Sequence, residues 1–425
     1  MTTSQTTIES VDADLPRLIE EAAVRLAGIV AHSPLQASKR LSQLYGAKVL
    51  IKREDLQEVR SFKIRGAYNK ISSLSAEERG RGVACASAGN HAQGVAFACS
   101  DLGIRGTIFM PAGTPLQKIE RVRHFGREAI DIRLVGETYD EAGHLAQAFC
   151  DESGAVLVHP FDDPLTMAGQ GTIAKEILEE LEGGLDVLVT AVGGGGLAAG
   201  MASYLKNRNP AITVIGAEPA GAPSMSAALE NGGPLLLEQI DSFVDGAAVQ
   251  RAGDFTYDIC SRLLERVVVV QEGAICATMI DLYQNEGIIA EPAGALAVAA
   301  LDQVADQIRG RTVVCILSGG NNDILRYPEI MERSLIHRGL KHYFIVEFAQ
   351  RPGQLRRFVD EALGPTDDIV RFEYIKKTNK ERGAALVGIE LRNPADLEPL
   401  LQRMNAIQLN CRRLNDEELL ADYVI

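Results

Sequence analysis

Between about Lys48 and Leu317 the chain alternates short apolar β-type runs with helix-type stretches, and that alternation limits its architecture more than any other feature. The runs are Val83-Ala84-Cys85-Ala86, Thr107-Ile108-Phe109-Met110, Asp131 to Val135, Val156-Leu157-Val158, Val187-Leu188-Val189, Ile212 to Ile215 and Val313 to Leu317. Strands separated by helical segments pair in parallel, because the helix supplies the long crossover that returns the chain to the same edge. Many runs are apolar on both alternating faces, as expected of strands covered by helices on both sides. Ligands in such sheets gather beyond the carboxyl ends of the strands, so the turns after these runs are the first places to look for chemistry.

After Leu317 the pattern changes. Arg333 to Lys341 reads as a charged connector, and a smaller unit follows: a strand over Tyr343 to Phe348, a helix from Pro352-Gly353-Gln354 to about Leu363, and a strand over Ile369 to Ile375. A turn at Asn379 to Gly383 leads into a strand over Ala384 to Leu391, a helix from Pro394 to about Met404, and a last strand near Ile407 to Cys411. The order β-α-β-β-α-β is the ferredoxin-like split motif. A chain of 425 residues, 46% hydrophobic, buries large cores and divides into two or three domains.

Charge and cysteine usage exclude whole classes. The net charge of −14, with no Lys/Arg run to offset it, argues against a nucleic-acid or anionic-membrane partner. No stretch is apolar enough to span a bilayer, Met1 to Ser10 does not read as a signal peptide, and the expectation is a soluble cytoplasmic protein. Seven scattered cysteines without a C-x-x-C pair read as small buried hydrophobes of a reducing compartment. His32, His124, His144 and His159 lack metal-ligand spacing and read as structural or surface residues.

Three turns carry chemical signals. The run ending at Ala86 opens into Ser87-Ala88-Gly89-Asn90-His91 and an Ala-rich helical stretch, a loop able to present N–H groups and the Ser87 and Asn90 side chains to a carboxylate, or simply a helix cap. The run ending at Val192 opens into Gly193-Gly194-Gly195-Gly196-Leu197, where four glycines allow backbone N–H groups to approach a phosphate. That segment also fits a dinucleotide fingerprint, Gly194-x-Gly196-x-x-Ala199 with Glu218 about 20 residues on, which keeps an NAD-dependent oxidoreductase open. Val313 to Leu317 ends in Ser318-Gly319-Gly320-Asn321-Asn322, which presents a hydroxyl or is a plain loop. Lys63, in Ser61-Phe62-Lys63-Ile64-Arg65-Gly66-Ala67, would be a surface charge if read alone.

Lys63 followed by these turns, in this order, resembles the fold type II pyridoxal-phosphate (PLP) enzymes of the tryptophan-synthase β type, and most closely the biosynthetic threonine dehydratases. Glu286-Gly287-Ile288 with Glu291-Pro292-Ala293-Gly294-Ala295 adds a family-like stretch, and Asp245-Gly246 resembles a segment near the family's active site. The resemblance implies an α/β catalytic part of about 1–335, with a large subdomain (about 1–60 and 155–335) and a small one (about 61–154) built on parallel-rich sheets. It implies an α+β ferredoxin-like, ACT-like regulatory domain over 336–425. By the same resemblance Lys63 is the Schiff-base lysine and the base for the Cα proton, and Phe62 packs on the cofactor ring. Asn90 meets the ring oxygen, Gly193 to Leu197 hold the phosphate, Ser318 meets the pyridine nitrogen, and Ser87 to His91 hold the substrate carboxylate. Glu218 would then stand at a cation site found in some relatives, rather than on a ribose.

A hydroxyl at the pyridine nitrogen, in place of the Asp of other PLP enzymes, weakens the electron sink and fits β-elimination better than transamination. Relatives that racemise serine carry a second serine where this chain has Ala88, so racemisation should be poor. The implied activity is deamination of L-threonine, and of serine more weakly, with isoleucine as feedback inhibitor, valine as its antagonist, and a homotetrameric assembly. A serine dehydratase, a racemase and a non-catalytic amino-acid sensor remain as alternatives.

Overall fold

The computed structural model describes residues 8–375 and 381–414. The chain divides into two compact units, Met1–Asn322 and Asp323–Ile425. In the first, strands β1 (Leu35–Ala37), β2 (Lys48–Arg53), β3 (Val83–Ala86), β4 (Gly106–Met110), β5 (Ile130–Leu134), β6 (Val156–Leu157), β7 (Val187–Ala191), β8 (Thr213–Pro219), β9 (Arg266–Val270) and β10 (Thr312–Leu317) form two sheets. The larger runs β1-β2-β10-β7-β8-β9 and the smaller β5-β4-β3-β6. Every pairing is parallel except β1 with β2.

The central strands β7 and β10 are buried almost throughout, because helices cover both faces. Strands β1, β2 and β9 are not among the runs expected from sequence. Lys52 breaks the apolar run of β2, yet its side chain is fully buried, and β9 opens with Arg266 at the sheet edge and stays partly exposed. Six of the seven cysteines are buried and none forms a disulfide.

In the second unit β11 (Lys341–Ala349), β12 (Asp368–Tyr374), β13 (Arg382–Glu390) and β14 (Asn410–Arg413) form an antiparallel sheet in the order β12-β13-β11-β14. Helices Gln354–Ala362 and Leu397–Ala406 contribute Phe358, Ala362, Leu400 and Met404 to its apolar core. This is the expected ferredoxin-like order. The charged connector is a correction: most of Arg333 to Lys341 lies in the helix Tyr327–His337, which Pro328 opens, and in the first residue of β11. Its charges are partnered along the helix, as in Arg333 with Glu329, and are half-buried, so they belong to a packed helix rather than a linker. The last strand also starts later than expected, since the helix runs to Ala406 and the chain turns at Gln408, in the left-handed region (φ 55). Of the expected turn at Asn379 to Gly383, Asn379 and Lys380 lie outside the described residues.

Candidate active site

Lys63 opens the helix Lys63–Ser72, and that helix is held in place by close approach and buried charge. It crosses the helix Pro164–Glu180 at small residues: a Cβ on Gly169 would come within 2.3 Å of the Arg65 carbonyl, so nothing larger than glycine fits there. Arg65, fully buried, gives two hydrogen bonds to Glu54 (2.8 Å each) and two to Glu176 (2.6 and 3.0 Å). Lys52 completes the set, with Nζ 2.8 Å from Glu176 and 2.6 Å from the Ser33 carbonyl. Each buried cation faces carboxylates, with Glu180 a further 3.7 Å from Lys52, which is the condition for burying charge without a large penalty.

The Lys63 side chain is half-buried and meets no carboxylate at bonding distance; Nζ donates to the Pro160 carbonyl at 2.9 Å and lies 5.2 Å from the centre of the Phe62 ring. Burial pushes its ammonium down from the usual 10.5 to about 8, with the Glu291 charge opposing. A nucleophilic amine near neutral pH needs that shift.

The three turns converge on this lysine. Phe62 N–H donates to the Ser318 carbonyl, Gly320 N–H to the Arg60 carbonyl, and Ser61 bridges Gly319, so the β10 turn is stitched to the Lys63 segment. Ser318 is buried and its hydroxyl donates to the Ala293 carbonyl at 3.1 Å. Asn90 begins the helix Asn90–Leu102; its Nδ2 donates to Glu291 Oε1 at 2.6 Å and its Oδ1 accepts from Asn321 Nδ2 at 2.7 Å. Ser87 Oγ accepts from Gly89 N–H at 3.2 Å, while Ala88, Gly89 and Asn90 stay half-buried. His91 is buried with Nε2 on the Val158 carbonyl; burial, helped by the Lys63 charge, pushes its imidazole down to about 3, which keeps it neutral and out of acid–base work.

The glycine loop follows β7 and opens the helix Gly196–Arg208. Gly195 sits at φ 94, a conformation side chains rarely adopt, and no side chain caps this helix start. The N–H groups of its first turn therefore have no acceptor within the helix and suit an anion. The loop is fixed from behind: the Gly194 carbonyl accepts from Thr256 Oγ1 at 2.5 Å, and Asp162 accepts from the N–H groups of Asp254, Phe255 and Thr256. The Leu197 side chain turns into the core, so its contribution is backbone alone. Cβ atoms on Gly193, Gly194 or Gly196 would strike Ala247, Phe161 or Gln170 at 2.8 Å or less. A cradle of packed glycines, a desolvated lysine and a buried hydroxyl fit a phosphorylated aldehyde cofactor.

Two parts of the site are not visible in the sequence pattern. His159-Pro160-Phe161-Asp162 supplies the Lys63 acceptor, the ring over Gly194 and the cap that holds Thr256, although His159 by its spacing reads as structural or surface. Glu291, which in sequence is only part of a family-like stretch, is buried among the turns, and burial, with Asp245 adding, pushes its carboxyl up to about 7. The legible signal is a proline-containing turn directly after β6, at the carboxyl edge of the small sheet.

Glu218 lies near the end of β8, where the dinucleotide fingerprint places a ribose partner, but it faces inward. Its oxygens accept from Met225 N–H (2.6 Å), Ser226 N–H (2.8 Å) and the Ser226 hydroxyl (2.8 Å), and burial pushes its carboxyl up to about 7. Those donors leave it engaged with the start of the helix Ser224–Asn231, and among the described residues no cluster of three His, Cys, Asp or Glu side chains could hold a metal. Asp245, a lining candidate from sequence, pairs with Lys118 at 2.7 Å.

Comparison with known proteins agrees with this geometry. Residues 26–319 match the family described as pyridoxal-phosphate dependent enzyme, and residues 332–424 match the C-terminal regulatory domain of threonine dehydratase. The chain is 56% identical over 398 residues to a biosynthetic L-threonine dehydratase of Mycobacterium tuberculosis, covering 93% of this chain and 92% of that one. It is 53% identical over 390 residues to the Bacillus subtilis protein of the same description, covering 92% of each. Among solved structures, processed threonine deaminase isoform 2 of Solanum lycopersicum superposes with a TM-score of 0.72 at 39% identity, covering 76% of this chain and 94% of that one. Maize serine racemase gives 0.69 at 32%, covering 76% and 98%.

Proposed function

Because the chain belongs to the pyridoxal-phosphate-dependent enzymes and carries the regulatory domain of threonine dehydratases, we propose a role for each group in its site. The enzyme is a PLP-dependent L-threonine ammonia-lyase of the biosynthetic type, converting threonine to 2-oxobutanoate and ammonia. The cofactor supplies an electron sink that makes the Cα proton of the bound amino acid acidic.

Lys63 would hold the cofactor through Nζ, and its amine, when free, would take the Cα proton. Backbone N–H groups from Gly193 to Leu197 would hold the phosphate, Phe62 would pack on the ring and Asn90 would meet the ring oxygen. The Ser318 hydroxyl meets the ring nitrogen without adding charge, which limits the sink to elimination. Ser87, Ala88, Gly89, Asn90 and His91 hold the substrate carboxylate through the helix start. The β-hydroxyl leaves as water, and the released enamine hydrolyses to the oxo acid and ammonia. The observation that carries this reading is the half-buried Lys63 amine, which among the described residues meets no carboxylate at bonding distance: it rests on the Pro160 carbonyl, next to the Phe161 that packs on the glycine loop, and its segment is stitched to the β10 turn.

The division into a catalytic part of about 1–335 (large subdomain about 1–60 and 155–335, small about 61–154) and a regulatory part, 336–425, belongs to the same proposal. It is supported by the separate matches over 26–319 and 332–424. Isoleucine is the proposed inhibitor and valine its antagonist, acting where regulatory domains meet in a cytoplasmic homotetramer. No helix among the described residues is long and apolar enough to cross a membrane.

Purified enzyme supplied with L-threonine should release 2-oxobutanoate and ammonia in equal amounts without NAD, and isoleucine should slow it. Oxidation that depends on NAD would overturn the assignment.

A further inference from the structure

Glu291 opens the helix Pro292–Ala299 at the position where an acidic side chain ordinarily accepts from its own helix, yet it makes no such bond. The carboxylate is engaged elsewhere. Oε1 accepts from Asn90 Nδ2 at 2.6 Å and Oε2 from Asn321 N–H at 3.2 Å, so one buried group joins the β3 turn to the β10 turn. The approach depends on Gly319, where a Cβ would fall 2.4 Å from Oε1. Asn321 completes the fixture: its Nδ2 donates to Asn90 Oδ1 (2.7 Å) and the Val59 carbonyl (2.8 Å), and its Oδ1 accepts from Arg121 (3.0 Å). Asn90 is therefore held at both ends of its amide, with one Nδ2 hydrogen directed to Glu291 and the other left for the cofactor.

The charges facing Glu291 come from three elements. Asp245 follows the short turn Ser242–Val244, Lys118 lies on the helix Leu116–Gly126, and Lys63 opens its own helix. Asp245 and Lys118 pair with each other at 2.7 Å, whereas Lys63 Nζ rests on a carbonyl. A carboxylate whose charge reaches an otherwise uncompensated nitrogen favours the protonated form of that nitrogen.

We propose that Glu291 is a positioning residue that also acts through its charge. It fixes Asn90 toward the cofactor ring oxygen, and its carboxylate retains a proton on the nitrogen joining Lys63 to the cofactor. That proton strengthens the electron sink, so it compensates in part for the neutral Ser318 partner. This rests on the assignment of Lys63 as the attachment residue.

The test is the pH dependence of visible absorption of the holoenzyme, compared between wild type, Glu291→Gln and Glu291→Asp. Glu291→Gln should keep the cofactor and its visible band but lower the pH midpoint of the protonated form by about one unit. Glu291→Asp keeps the charge, so its midpoint should stay near wild type, while loss of the Asn90 contact lowers kcat by about tenfold. An unchanged midpoint in Glu291→Gln overturns the inference. If that variant does not fold, Glu291→Asp decides alone: wild-type kcat overturns the positioning role. A wild type with no visible band would instead refute attachment at Lys63.

Discussion

Beneath Lys63 the N-terminal unit turns charged side chains inward, whereas the helix Gln354–Ala362 and strand β12 of the C-terminal unit turn theirs outward with apolar groups among them. Arg65, Lys52 and Glu54 are fully buried and mutually satisfied beneath Lys63. The second unit carries ion pairs along exposed surfaces, such as Arg357 with Glu361, and leaves Leu355, Val359, Val370 and Ile375 exposed, the last at 77%. The contrast separates two requirements. Chemistry that depends on one geometry needs polar groups locked by partners in a low dielectric. A binding-responsive element keeps apolar surface for a ligand or another copy to cover.

If that contrast is real, the largest effect on stability comes from the buried charges. Arg65→Met should strand Glu54, leave Glu176 to Lys52 alone, and cost about 3–5 kcal/mol, read from chemical unfolding. A cost below about 1 kcal/mol would mean that the charges do not fasten the Lys63 helix. The C-terminal unit should be separable by function: removing residues after Arg338 should abolish isoleucine inhibition and leave threonine turnover. Inhibition that survives the deletion places the effector elsewhere.

The pH response sharpens the same comparison. Lys63 is held below the usual lysine value, so its neutral, nucleophilic form accumulates as pH rises through about 8. The rate at which apoenzyme takes up PLP should therefore climb between about pH 7 and 9, and a midpoint near 10 would show that burial does not activate the amine. The smallest expected change is at Ala88. Ala88→Ser should add slow racemisation of serine without loss of elimination; wild type that already racemises serine rapidly would contradict the reading of that turn.

The parallel character of the catalytic sheets and the ferredoxin-like tail are legible because apolar runs and their spacing report local structure directly. Asn90, the four glycines and Ser318 stand out in sequence through turns placed after strands, whereas Lys63 stands out only through the resemblance that those turns complete. Strand β2 is hidden by Lys52, whose charge is neutralised only in three dimensions by Glu176, 124 positions along the chain. Glu291 is in sequence only part of a family-like stretch, and its bond to Asn90, across 201 positions, is what gives it a role. The dinucleotide fingerprint misleads for the same reason: spacing places Glu218 correctly but does not say that its oxygens turn inward to Met225 and Ser226.

The central claim is that Lys63 carries the cofactor, and borohydride reduction of the purified holoenzyme tests it most directly. The protein should be yellow, lose its visible band on reduction, and yield a single pyridoxyl-labelled peptide containing Lys63. Label on another lysine, or a colourless protein that gains no visible absorption when PLP is added, would contradict the account.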